Sequence, residues 1–280
     1  MGSAEAIERL LHGAIDFHVH AGPDPFHQRR LDILDLARAA KEAGMRAVVA
    51  KNHQFGTAPM AHLVNKIVSD FTLVGSLTLN REVGGLNPEI VAAHARAGAR
   101  VVWMPTSSSV INSKGKLGIS LLDEKKKLLA QVITILEIIR ESDMVVGTGH
   151  VALEEIYALV AEARDMKVRV TVTHPLSSGF GCTLNLDQQR ELVSMGAFIE
   201  HAFVACMPVL GGLSAKVMID HIRATGEGHC ILSSDFGQMA NPSAPEGFRM
   251  MIGTMLELGL SENELETLVK TSPARMLGFA

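Results

Sequence analysis

The sequence is short of the features that mark several large classes of protein. Cysteine is scarce: Cys182, Cys206 and Cys230 are odd in number, widely spaced and without a C-x-x-C pair. They read as thiols of a reducing compartment rather than as a disulfide framework. There is no basic excess, since 26 Lys and Arg are set against 30 Asp and Glu for a formal net charge of −4. A nucleic-acid partner would need a concentrated basic stripe. The one conspicuous run, Lys125-Lys126-Lys127, opens a helical pattern and reads as a solvated face. Long apolar runs are missing too. The most apolar stretch, Leu128 to Ile139, is broken by Gln131, Thr134 and Glu137, which makes it too short and too polar to span a bilayer. The opening MGSAEAIERLLHGAIDF carries acidic residues and lacks the apolar centre of a secretory signal. A soluble cytoplasmic protein without nucleic-acid or membrane partners is expected, and a homo-oligomer stays open.

What is present is a regular alternation. The chain has 280 residues, 47% of them hydrophobic, enough for one extensive core. Short β-branched runs at 14–20, 47–51, 71–79, 100–104, 144–148, 168–173, 197–200 and 229–233 read as strands. Between them, apolar spacing predicts helices at 31–43, 59–69, 88–97, 123–141, 152–164, 187–195, 211–225 and 246–258. A last helix is expected at 261–271, packed on the outside, with Ser261 and Glu264 in a capping-box arrangement. Several helices end in glycine just before the next strand, as at Gly44, Gly98 and Gly196. Eight βα units in series predict a parallel sheet closed into a single (β/α)8 TIM barrel spanning 1–280. An open doubly wound sheet would carry a G-x-G-x-x-G turn after its first strand, and none is there. The longest connection, Pro105 to Leu122, is rich in Ser, Gly and Lys and reads as a lid or substrate loop.

The histidines carry the functional signal. Of the 12, His18, His20, His53, His150, His174 and His201 fall at or just beyond the carboxyl ends of predicted strands, and Asp235 follows the last strand. Barrel enzymes assemble their active sites on that face. In Asp16-Phe17-His18-Val19-His20 the two histidines share a parity, so both point to one face, with Asp16 expected to join them inside. An unpaired buried imidazole is costly and a ligated one is not. Metal ligation therefore competes with a hydrogen-bonded core pair. His150 follows an apolar strand ending in Gly147-Thr148-Gly149, and His174 precedes Pro175. Their matching positions on neighbouring strands favour ligation over capping.

With those residues in order, the chain resembles the amidohydrolase superfamily: H-x-H on strand one, His on strands five and six, Asp on strand eight. Thr271-Ser272-Pro273-Ala274-Arg275-Met276-Leu277-Gly278 is similar to that family's closing NPA-x-x-LG helix. The likeness spans the chain, and the ordered set is more specific than any single motif. It implies one or two divalent ions, zinc first, with iron, manganese or nickel as alternatives. His18, His20 and Asp235 would hold one ion, and His150 and His174 a second. In a mononuclear version His150 joins the first group and His174 orients the water. The departure lies on strand four, where Arg100–Met104 offers no bridging Lys or Glu. Lys51 is the nearest candidate, as a carbamate bridge or as an ammonium that binds an anionic substrate group. His53 shares its parity. Glu200 and His201 end strand seven, and His201 is expected to meet substrate. His27, Arg29 and Arg30 lie in a proline-rich loop that either meets an anion or is surface.

The resemblance thus implies hydrolysis of an amide, lactone, ester or phosphoester in a small molecule by a metal-activated water. Asp235 would serve as base, with His174 and Lys51 assisting. A mononuclear decarboxylase or lyase, and a metal-stabilised barrel without turnover, are the alternatives.

Overall fold

Strands that are apolar on both faces can be buried only between helices outside and one another inside. The computed structural model, which describes residues 2–113, 117–210 and 212–279, follows that rule. Strands β1 (Ile15–His20), β2 (Ala47–Lys51), β3 (Thr72–Thr78), β4 (Ala99–Trp103), β5 (Val145–Gly147), β6 (Arg169–Val172), β7 (Phe198–Ala202) and β8 (Cys230–Ser233) form one parallel sheet in sequence order. The ring closes where β1 meets the segment after β8. There Asp235 N–H donates to the His18 carbonyl at 2.8 Å and His20 N–H to the Phe236 carbonyl at 2.7 Å.

The helices are α1 (Gly2–Leu11), α2 (Ile33–Glu42), α3 (Ala58–Ile67), α4 (Pro88–Arg96), α5 (Ala130–Glu141), α6 (Leu153–Asp165), α7 (Leu186–Ser194), α8 (Ala215–Thr225), α9 (Ala244–Glu257), α10 (Glu262–Glu266) and α11 (Ser272–Leu277). The eight strands and the helices between them agree with the expected barrel. None of these helices is long and apolar enough to cross a membrane. Residue 211 of one expected helix and residues 114–116 of the long Pro105–Leu122 connection lie outside the described residues.

Three local expectations change. Helix 123–141 begins only at Ala130, because the Asp123 carboxylate accepts the backbone N–H groups of Lys125 at 2.8 Å and Lys127 at 2.9 Å. A side chain that captures nearby amides offers the backbone an alternative to helix. The lysine run is therefore a turn, with Lys126 reaching Glu154 at 2.8 Å. The terminal helix starts at the Ser261 cap but does not stop at 271. It widens into a π-turn, Thr267–Thr271, and continues as α11. Met276 and Leu277 join Ile15, Phe17, Phe198 and Ile231 in the cluster that fills the barrel.

The third change matters most for the site. Strand β1 carries a bulge: Asp16 pairs with Val48 but Val19 with Ala50. One extra residue flips the facing of all that follows. Ile15 and Phe17 pack in the interior cluster, while His18 and His20 take up the inward positions above them. Asp16 does not share their role. Its Oδ1 accepts N–H groups from His18 at 3.3 Å and Ser234 at 2.9 Å, which ties β1 to the end of β8.

Two strand ends approach so closely that glycine is required. Gly149 has φ +62°, and a Cβ there would lie 2.2 Å from the Met104 carbonyl oxygen, whereas Gly98, at φ +91°, has nothing within 4 Å. Both positions disfavour a side chain by roughly 1–2 kcal/mol of backbone strain, but only the first adds overpacking of about 1–3 kcal/mol. Urea denaturation should therefore show Gly149→Ala destabilised by about 3 kcal/mol and Gly98→Ala by about 1 kcal/mol.

Candidate metal centre

At the carboxyl end of the barrel lies a cavity of about 420 Å³, with His20, Lys51, His53, His150, His174 and Asp235 in its walls. Its floor is an arrangement of electron-rich atoms. The His18 ring nitrogen Nδ1 lies 2.7 Å from Glu200 Oε1, and both side chains are fully buried. Ser233 Oγ donates to the same carboxylate oxygen at 2.8 Å. With Nδ1–H directed at Glu200, the lone pair of His18 sits on Nε2. That atom faces Lys51 Nζ at 3.0 Å and Asp235 Oδ1 at 3.2 Å. His20 Nε2 lies 3.1 Å from the same Asp235 oxygen.

A lone pair and a carboxylate oxygen held together in a buried site need a cation between them. Among the described residues, His18, His20 and Asp235 form the one group whose ligand atoms all fall within 4.8 Å of each other. Imidazole plus carboxylate is a donor set for zinc, iron, manganese or nickel. The Glu200 contact behind His18 is the outer-shell partner that fixes a ligand's tautomer and raises its basicity. The residues present therefore fit a divalent metal.

The electrostatics agree. Burial holds His18, His20, His53 and His150 well below the ordinary imidazole value, so these rings are neutral and free to ligate or hydrogen-bond. Burial alone would raise Asp235, yet the adjoining His18 and His174 rings and the Lys51 ammonium outweigh it and hold this carboxyl below its ordinary value. Burial draws Lys51 down to about 8, against the pull of Asp235 and Glu200, and pushes Glu200 up to about 7. Both His174 (φ +29°) and Asp235 (φ +52°) adopt a backbone region that non-glycine residues rarely occupy. Strain of that type gathers where structure holds a side chain for a purpose.

His150 and His174 stand apart from the triple. Their Nε2 atoms are 3.0 Å from each other. Asn112 Nδ2 lies 2.7 Å from His150 Nδ1 and also donates to the Thr106 carbonyl at 3.0 Å. The carbonyl sets the amide orientation, since an amide oxygen there would face another oxygen. His150 Nδ1 is thus an acceptor, its proton is on Nε2, and it donates to His174. In this arrangement His150 is a hydrogen-bond donor at the cavity wall. His53 stacks on His20 with ring centres 4.7 Å apart, and its Nδ1 meets Thr106 Oγ1 at 2.8 Å.

On strand four, the indole of Trp103 occupies the inward position at the strand end. Its ring lies 5.3 Å from that of His18, with Lys51 Nζ 4.7 Å above it. Gly147 on β5 leaves the room, as a Cβ there would come within 2.3 Å of the indole. Lys51 therefore reaches the cluster from β2 over an aromatic face.

One expectation is corrected. His201 does not line the cavity. Glu200 takes the inward position on β7, so its neighbour points to the outer face, buried without a hydrogen-bond partner for either ring nitrogen. Two residues went unmarked by sequence: Asn112, one polar side chain in a serine-rich loop, and Trp103 as a support for Lys51. Glu200 was marked only as one of a pair.

Residues 13–200 match the family model described as "Family of unknown function (DUF6282)". No curated protein matches the chain in sequence. In fold it is similar to an amidohydrolase from Pseudomonas aeruginosa, with a TM-score of 0.70 and 12% identity over 98% of each chain. A zinc-bound amidohydrolase from Burkholderia multivorans gives a TM-score of 0.60 and 14% identity, over 95% of this chain and 99% of that one. A 2,6-dihydroxybenzoate decarboxylase from Rhizobium gives 0.57 and 12%, over 95% and 99%. At these identities the likeness is one of fold, a (β/α)8 barrel shared with those enzymes.

Two outcomes follow from the geometry. Glu200→Gln removes the charge behind His18 and should weaken Zn²⁺ affinity by roughly 10–100-fold in a competitive titration, with the fold retained. For His201, burial lowers the ring from 6.5 to about 3. The unfolded chain then binds the extra proton first, so stability present above pH 6.5 is lost as pH falls toward 3. Denaturation at stepped pH should show His201→Leu gaining on wild type by up to about 1.4 kcal/mol per unit across that window.

Proposed function

The chain belongs to the DUF6282 family, and we propose that it is a metal-dependent hydrolase acting on a small molecule through a metal-activated water. The observation that carries this reading is the meeting of His18, His20 and Asp235, with Glu200 bonded behind His18. His18 Nε2, His20 Nε2 and the Asp235 carboxylate would hold the ion. When bound, a divalent ion lowers the pKa of water from 15.7 to about 7 and polarises the bond to be cleaved.

The protein's own groups supply the rest. Asp235, ionised and at the cavity wall, accepts the proton of the attacking water and returns it to the leaving group. Lys51, on a neighbouring wall, donates to the oxygen on which negative charge develops. His150, held in one tautomer by Asn112, keeps His174 in place. The cavity is of the size that encloses a small ligand rather than a polymer (roughly 300–1,000 Å³). A mononuclear decarboxylase is the second reading. It is favoured by Trp103 at the strand-four position, which offers no bridging ligand, and by there being one three-residue cluster among the described residues.

The test starts from chelator-stripped protein reloaded with Zn²⁺, Mn²⁺, Fe²⁺ or Ni²⁺. Elemental analysis should give one ion per chain. A panel of esters, lactones, amides and phosphoesters should include a substrate whose hydrolysis disappears on chelation. Asp235→Asn should keep part of the metal and lose roughly 10²–10⁴-fold in kcat; near-normal turnover would reject Asp235 as the base. Release of CO2 from a carboxylate without water uptake would favour the second reading.

A further inference from the structure

The cavity has a cation that neither the metal group nor the proposed chemistry uses. Arg29, in the loop between β1 and α2, lines the same cavity as His20, Lys51 and Asp235. Its side chain is only 7% exposed. Nε and Nη2 both address Asp24 Oδ2, at 2.8 and 2.7 Å. Asp24 Oδ1 is occupied by the backbone N–H groups of Phe26 at 2.9 Å and His27 at 3.0 Å. The carboxylate is thus filled on both oxygens and the guanidinium plane is fixed. The loop is tied to the segment after β8 by a backbone bridge from Arg29 to Gln238 and by Arg30 N–H on the Gly237 carbonyl at 3.0 Å. Among the described residues, no hydrogen bond or ion pair engages Arg29 Nη1.

Around the mouth, apolar side chains come from four separate loops: Phe26 after β1, Phe180 after β6, Leu210 after β7 and Met239 after β8. Three of them are far from buried, with Phe26 66%, Phe180 45% and Met239 45% exposed. Single exposed apolar groups are ordinary; four converging on one mouth mark a surface made to be covered by a ligand.

We propose that the site takes an amphipathic monocarboxylate, whose carboxylate docks on the free edge of Arg29 while its alkyl or aromatic part lies against Phe26, Phe180, Leu210 and Met239. A carboxylate suits this anchor better than a phosphate. One free edge, on a guanidinium already paired with Asp24, suits a planar group of single negative charge rather than a dianion. The other nearby cation, Lys51, is directed at His18 and Asp235 rather than at the mouth. The proposal rests on the reading of this cavity as the active site, and its test separates the two.

Three isosteric probes serve: 3-phenylpropionate, 3-phenylpropanamide and 2-phenylethylphosphonate. Binding is measured by calorimetry on zinc-loaded wild type, Arg29→Gln, Arg29→Lys and the double variant Asp24→Asn/Arg29→Gln, with zinc content determined in each sample. The double variant removes the buried carboxylate along with its partner, so it keeps the test open if Arg29→Gln alone does not fold. Expected is a carboxylate Kd at least ten-fold below that of the amide in wild type. The preference should be lost in the glutamine variants and partly kept in Arg29→Lys, at unchanged zinc content. Equal binding of amide and carboxylate, a preference that survives loss of the guanidinium, or tighter binding of the phosphonate would each overturn it. Wild type that takes up no zinc yet keeps an Arg29-dependent preference would sink the metal reading and leave the anion site standing.

Discussion

A buried lone pair facing a buried carboxylate is unfavourable on its own, and the upper end of this barrel is organised around that juxtaposition. His18 Nε2 and Asp235 Oδ1 are held 3.2 Å apart by backbone hydrogen bonds that also close the ring of strands. The fold and the site are thus joined through the same atoms: the carbonyl of His18 accepts the N–H of Asp235 while their side chains face a common point. Unpaired, such a cluster would be strongly destabilising in a low-dielectric interior. A cation converts that strain into binding energy. Lys51 supplies one positive charge from the side, and the three convergent ligand atoms leave room for another.

The remaining polar groups serve this centre by fixing protons. Glu200 accepts from His18 Nδ1, which leaves Nε2 bare. Asn112, oriented by the Thr106 carbonyl, does the reverse for His150 and makes its Nε2 a donor. Two imidazoles at the carboxyl end of the barrel are therefore given opposite roles by single contacts from behind. Trp103 fills the strand-four side, and its ring face supports the Lys51 ammonium. Arg29, fixed by Asp24, places a second cation in the cavity wall, where its charge also bears on His20, Lys51 and His53. The cavity thus runs from the His18, His20 and Asp235 floor, through hydrogen-bond donors, to an apolar collar.

Much of this was legible from sequence because it depends on local periodicity. Alternating β-branched and amphipathic segments specify strands and helices. Repeated eight times, they specify a closed barrel, and the strand-end histidines then fall on one face because parallel strands all end there. His18, His20, His53, His150, His174 and Asp235 were marked by position alone. What periodicity could not supply was facing and partnership. The bulge in β1 changes the inward set from one parity to the other, so Asp16 became a seam contact instead of a third cavity group. On β7 a choice between Glu200 and His201 is a matter of register against the neighbouring strands β6 and β8, far off in sequence, and only strand pairing resolves it. Asn112 and the Arg29–Asp24 pair acquire meaning through contacts made after the chain has folded. The amino-acid sequence by itself determined the barrel, the end of it that carries the candidate site and the residue types gathered there. Only the tertiary structure decided which nitrogen bears each proton and which cation stays free, because those depend on distances between groups that the chain brings together last.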